Sequence, residues 1–122
     1  MSKKKAFKVG QVVRWASQAG GVLTRKEGTV IAIAEPQGRF KLIEKVRDRY
    51  LREAYPDKSP AMRKRYYKEY LTDWKLVTMC CKQKFDFFPF PMDKRHYFVE
   101  VPQEKGKPYL YKPRPEYLEA AP

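Results

Sequence analysis

Histidine is nearly absent from this 122-residue chain: His96 stands alone. Cysteine is almost as scarce, with Cys80 and Cys81 adjacent in sequence. A bridge between sequence neighbours closes a strained ring, and there is no second pair to complete a zinc site of the C-x-x-C kind. Both thiols are therefore expected to be reduced and partly buried, as in a cytoplasmic protein. There is no glycine-rich phosphate loop, no nucleophile recognisably paired with a base, and no metal-ligand spacing around Glu44 and Asp48. These absences predict a chain that is not an enzyme and needs no cofactor or metal. Long apolar runs are missing too, so no membrane span is expected. Met1-Ser2-Lys3-Lys4-Lys5 resembles the charged start of a signal peptide, but no apolar run follows it. Anionic membrane attachment also lacks its usual sign, an amphipathic helix with an exposed apolar face. No small-molecule substrate is indicated.

What the chain has is positive charge and aromatic rings. Lys and Arg number 27 against 14 Asp and Glu, a net charge of +13, and seven Phe, nine Tyr and two Trp supply much of the apolar content. A chain this basic attracts polyanions whatever its fold, which puts nucleic acid first among partners. The excess is uneven. Residues 1–35 carry 7 basic and 2 acidic side chains, residues 36–84 carry 14 and 6, and residues 85–122 carry 6 of each.

Gly28-Thr29-Val30-Ile31-Ala32-Ile33-Ala34 and Val9-Gly10-Gln11-Val12-Val13-Arg14-Trp15 are short, β-branched runs beside glycine turn signals, and read as an antiparallel strand pair. Residues 17–27 between them read as a long loop ending at Arg25 and Lys26. From Phe40 the apolar period changes to about 3.6, with Phe40, Ile43, Val46 and Tyr50 on one helical face. Pro56 and Asp57 end that helix. Ser59-Pro60 opens a second one, with a capping side chain and a proline suited to the first turn. It carries Met62, Tyr66, Tyr70 and Trp74 at intervals of four and ends near Val77 or Thr78. Two prolines among the phenylalanines of residues 79–95 forbid a long helix there. His96-Tyr97-Phe98-Val99-Glu100-Val101 returns to a strand, residues 103–107 form a hairpin loop, and Tyr109-Leu110-Tyr111-Lys112 is the last strand. Residues 116–120 make one terminal turn.

The opening strands, with Gly10, Val13, Trp15, Gly28 and Val30 in the order G-x-x-V-x-W then G-x-V, resemble KOW-motif and Tudor-like small barrels. Tyr97 to Val101, with Tyr111-Lys112-Pro113 and Tyr117-Leu118, is similar to bacterial Tudor-like domains of the hypervirulence-associated type. The resemblance implies an SH3-like antiparallel barrel, split between residues 1–35 and 96–122. The order of elements makes residues 36–95 a helical and Phe/Pro-rich insertion into it, foreign to either family, and the chain α+β. It also implies a binding role, since such barrels hold RNA, nucleoprotein partners or peptides.

The candidate site lies mainly in the insertion. Lys41, Lys45, Arg49 and Arg52 fall on one side of the first expected helix. Lys64, Lys68 and Lys75 do so on the second, beside Arg63 and Arg65, giving a ridge suited to phosphates. Arg25, Lys26 and the tail Lys3-Lys4-Lys5 extend the track. The ordinary alternative is a solvated face on which Glu44, Asp48, Glu53, Glu69 and Asp73 pair with these bases. Tyr67 is the expected exposed stacking ring, while Tyr70 and Trp74 are expected in the core. An aromatic cage built from Trp15, Tyr97, Tyr109 or Tyr111 is conceivable in a Tudor-like barrel, but core packing or flat stacking on nucleic acid fits the spacing better. The rival reading is a protein-docking adaptor or inhibitor that uses Phe85, Phe87, Phe88 and Phe90 against a larger nucleoprotein complex.

Overall fold

The computed structural model describes residues 6–19, 21–36, 40–84 and 95–121. β-Branched and aromatic side chains at alternating positions organise them around one strand, β2 (Val22–Ala34), which is 13 residues long. Its first half pairs antiparallel with β1 (Val12–Ala19), from Val12 opposite Thr29 to Ala19 opposite Val22. Residues 17–27 are thus mostly strand, a correction to the expected long loop. The pairing runs out to Ala19 opposite Val22, and Gly21 beside that end takes a positive φ of 81°. The second half of β2 pairs with β3 (Phe40–Leu42) on one side and β5 (His96–Val101) on the other. A register shift between Val30 and Ala32 bends β2, and Ile31 and Ala32 are both buried there.

Phe40 therefore opens a strand, not a helix. Phe40 and Leu42 are buried and Lys41 between them is exposed, an alternation of two. Helix α1 (Glu44–Ala54) starts only after Ile43 has donated its N–H to the Ile31 carbonyl at 2.8 Å. The expected single helix after Ser59 is two. Helix α2 (Pro60–Tyr70) has the expected Ser59 cap, whose hydroxyl accepts from Met62 N at 3.2 Å. Leu71 then turns extended and Thr72 caps a new helix, α3 (Asp73–Cys80), accepting from Lys75 N at 3.2 Å. Strand β4 (Lys82–Gln83) runs parallel to β6 (Tyr109–Tyr111), which forms the expected hairpin with β5. In place of one terminal turn, a 3-10 turn at Pro115–Tyr117 leads into β7 (Glu119–Ala120) on the edge of β1.

The described residues form a mixed α+β fold with three helices and one seven-stranded sheet, ordered β4-β6-β5-β2-β1-β7 with β3 also on β2. Among the described residues no pairing joins β4 to β7, so the sheet is not closed. β3 and β4 come from the middle of the chain and are built into the same sheet as the strands of its two ends.

Each sheet face has its own core. On one face α1 and α3 cover Ile31, Leu42, Phe98 and Leu110 with Tyr50, Leu51, Leu76 and Val77. Burying a side chain such as Phe98 contributes about 1.5–3 kcal/mol, so these helices are held chiefly by their apolar stripe. On the other face Val13, Trp15, Val30, Tyr97 and Val99 are covered by Phe7 and Leu118 from near the chain ends. Among the described residues no helix crosses this second face, and Tyr109 and Tyr111 of β6 are partly exposed on it.

Candidate nucleic-acid interface

Helix α2 buries none of its residues. Ordinarily so short a helix is marginal without a packed face, and here rings along one edge secure it. Tyr66 lies between Tyr55 and Tyr70, with centroids at 4.8 and 5.0 Å. Lys58 Nζ sits 5.0 Å over the Tyr66 ring, and Arg63 Nη1 donates to the Lys58 carbonyl. Lys64 and Lys68 are exposed on consecutive turns. Between α1 and α2 runs a shallow groove of about 310 Å³ lined by Asp48, Leu51, Arg52, Pro60, Arg63 and Lys64. Three of those six side chains are cationic and one is anionic.

Two buried carboxylates hold the helices in place. Asp73, in the first turn of α3, accepts from Leu42 N at 2.9 Å, from Arg47 Nε at 3.0 Å and from the Tyr67 hydroxyl. It thereby ties β3, α1 and α2 to the start of α3, where the helix dipole favours its charge. Burial works against the Arg47 charge, but the Asp73 carboxylate outweighs it and the guanidinium pKa is raised. Burial and the bond to Asp73 push the Tyr67 hydroxyl up to about 12. Glu100 on β5 is the second anchor. Its Oε2 accepts from Arg49 Nη2 at 2.5 Å and from the Tyr50 hydroxyl, which also lies 3.0 Å from Cys81 Sγ. Burial raises both thiols, Cys80 to about 11 and Cys81 to about 12, so neither is a thiolate at neutral pH. Both are free, as expected.

These anchors divide the basic residues into two sets. Arg47, Arg49 and Arg65 spend their charge on Asp73, Glu100 and Glu69. Lys45, Arg52, Lys64 and Lys68 are exposed and make no ion pair with a described residue. Arg49 thus leaves the expected phosphate track because a buried carboxylate claims it. Lys41 leaves the expected helical row as well. It pairs with Ile33 in the sheet and points away from the face that carries the helices. Arg63 lines the groove but is half-buried and bonded to Lys58.

Arg25 and Lys26 lie on β2, away from the helices, and point to opposite faces of it. Arg25 lines a separate groove with Arg14, Leu23 and Tyr117, while Lys26 Nζ lies 5.2 Å over the Tyr111 ring. Tyr67 is half-buried, bonded to Asp73 and covered by the Arg47 guanidinium at 4.8 Å, so it is not the expected open ring. Tyr70, expected in the core, is 62% exposed. Trp74 does pack inward, edge-on to Phe40 at 5.3 Å. Tyr97 is fully buried, with Phe7 against its ring at 5.3 Å, and cannot serve an aromatic cage. Phe85, Phe87, Phe88 and Phe90, like Lys3, Lys4 and Lys5, lie outside the described residues. Lys82 and Lys84 sit over Tyr109 at 5.9 and 4.7 Å. Sequence reasoning passed over this pair, although the alternation Lys82-x-Lys84 matched by Tyr109-x-Tyr111 was there to read.

Among the described residues no group of three His, Cys, Asp or Glu side chains is placed to hold a metal ion. Nor is any helix among them long and apolar enough to cross a membrane. No protein-family model, curated protein or solved structure matches this chain.

Proposed function

We propose that this chain is a non-enzymatic nucleic-acid-binding protein that grips the phosphate backbone with α2 and the adjoining rim of α1. In this reading the curved sheet is a small-barrel scaffold of the KOW and Tudor-like kind, and the helices mounted on it are its binding element. The observation that carries the proposal is the division of charge. Buried carboxylates consume the arginines that face inward, while Lys45, Arg52, Lys64 and Lys68 stand exposed without a described anionic partner. Such groups gain more from a phosphate than already paired ones, because no existing ion pair has to be broken and condensed counterions are released on contact. Lysines as point charges suit a backbone grip that reads no bases.

The test is a titration of labelled duplex DNA, single strands and structured RNA at several salt concentrations. Log affinity for the duplex should fall with log salt by about 0.9 per phosphate neutralised. Reversing Lys45, Arg52, Lys64 and Lys68 to Glu should abolish duplex binding. Negligible binding to all three polymers at low salt rejects the reading.

A further inference from the structure

On the sheet face that no described helix covers, cross-strand pairing brings together a second set of rings and cations. Tyr111 pairs with Val99, Tyr109 with Val101, Lys82 with Tyr109 and Lys26 with Trp15, and paired residues point to the same face. Val99 and Trp15 belong to the core of that face, which fixes the side on which all of these residues lie. Lys26 caps Tyr111, while Lys82 and Lys84 cap Tyr109. The Trp15 ring stands edge-on to Tyr111 at 5.4 Å, and the Tyr109 and Tyr111 centroids are 6.0 Å apart. Both tyrosines are only partly buried, and Lys82 and Lys84 are exposed with no carboxylate beside them among the described residues.

From this array we infer a single-stranded nucleic-acid site, separate from α2, in which two neighbouring bases stack on Tyr109 and Tyr111 while Lys26, Lys82 and Lys84 swing outward onto the flanking phosphates. The ring geometry selects the strand form. Tyr109 and Tyr111 are inclined at 62° to each other, so bases lying flat on both cannot remain parallel. A duplex keeps its bases parallel and its faces covered, whereas a single strand can splay them. The lysines already seek the π-faces of these rings, a contact contributing about 0.5–1 kcal/mol when exposed. A base can replace the ammonium group at small cost, because the ammonium group then gains a phosphate. Cations and rings alternating in this way are what a sequence-tolerant strand-binding surface requires.

The test compares labelled oligo-dT, oligo-U and a mixed-sequence duplex of equal length, titrated with the full chain by fluorescence anisotropy. Single strands should remain bound at salt concentrations that release the duplex, because stacking is not screened. Replacing both rings (Y109L/Y111L) should weaken single-strand binding roughly tenfold or more and leave duplex binding unchanged. Y109F/Y111F, which keeps the π-faces, should bind like the wild type. Should the Leu pair fail to fold, K82A/K84A alters only exposed side chains and should weaken single-strand binding several-fold. Oligo-dT and oligo-U separate DNA from RNA as the natural strand, and preference for either supports the site. Single-strand binding within twofold of the wild type in Y109L/Y111L or K82A/K84A overturns it, whatever the duplex arm shows about α2. So does a wild type that releases both polymer forms at the same salt.

Discussion

Arg49 on α1 and Glu100 on β5, far apart in sequence, meet at 2.5 Å, and the Tyr50 hydroxyl reaches the same carboxylate oxygen. Glu100 is 8% exposed at its side chain and Arg49 43%, so the pair joins a buried anion to a half-solvated cation. Removing the cation strands the anion, whereas removing both charges strands neither. Arg49→Leu should therefore lower stability by about 2–3 kcal/mol, less than for a fully buried pair. The apolar double variant Arg49→Leu/Glu100→Leu should recover most of that loss. Urea unfolding of the wild type, Arg49→Leu, Glu100→Leu and the double variant measures the difference, and simple additivity of the two single losses would disprove the anchor.

Of the described glycines, Gly28 has the least room for a side chain. A Cβ there would lie 2.5 Å from the Glu100 carbonyl oxygen, 2.6 Å from Val99 Cγ1 and 3.0 Å from Val101 Cγ2. The backbone oxygen cannot yield as a side chain would, so β2 and β5 must separate to admit a methyl group. Gly28→Ala should cost about 3 kcal/mol or more, at the upper end for overpacking. Gly21 at the hairpin turn has nothing within 4 Å, and its φ of 81° is the sole objection to a side chain. Gly21→Asn, which tolerates that backbone, should be nearly neutral. Thermal melts of the two variants give the comparison.

Most of the sheet was legible in the residues, and the helices less so. Alternation at Tyr97 to Val101 and Tyr109 to Tyr111 matched strands β5 and β6, because a period of two survives even in short runs. Phe40, Ile43, Val46 and Tyr50 fit a helical period, yet Phe40 belongs to β3. Three residues satisfy either period, and the deciding contact, β3 on β2, is not local. Thr72-Asp73, a cap followed by an acid in the first turn, marked the break that a run of aromatics at intervals of four concealed. The candidate site was legible as an excess of charge over residues 36–84. Which bases would be consumed was not, because Glu100 lies on a distant strand and reaches Arg49 only in the folded chain.

Alkali should unfold this protein early. Burial raises Cys80 to about 11, Cys81 to about 12 and the Tyr67 hydroxyl to about 12, and lifts Tyr50 further still. Unfolded thiols titrate near about 8.5 and tyrosines near about 10. Between those values and the folded ones the unfolded chain binds fewer protons, so stability falls as pH rises. The contribution is complete below about pH 8.5 and is lost progressively toward pH 12. Urea midpoints should therefore be flat from pH 7 to about 8 and decline steadily above about 9. At neutral pH both thiols should resist iodoacetamide until urea unfolds the chain. Rapid labelling of the folded protein, or midpoints that rise with pH, would contradict this.

Arg49 and Arg52 stand almost one turn apart on α1 and carry identical charge, yet their surroundings assign them different work. Arg49 is already neutralised by Glu100, while Arg52 lines the α1–α2 groove with no described anionic partner. Arg52→Gln should reduce the salt slope of duplex binding by about 0.9, the share of one phosphate, and leave the urea midpoint in place. Arg49→Gln should do the reverse, keeping the slope and lowering the midpoint. A net-charge effect alone would make the two variants alike in binding, since each removes one positive charge. Measuring slope and midpoint for both therefore separates a positioned phosphate contact from general attraction between a basic protein and a polyanion.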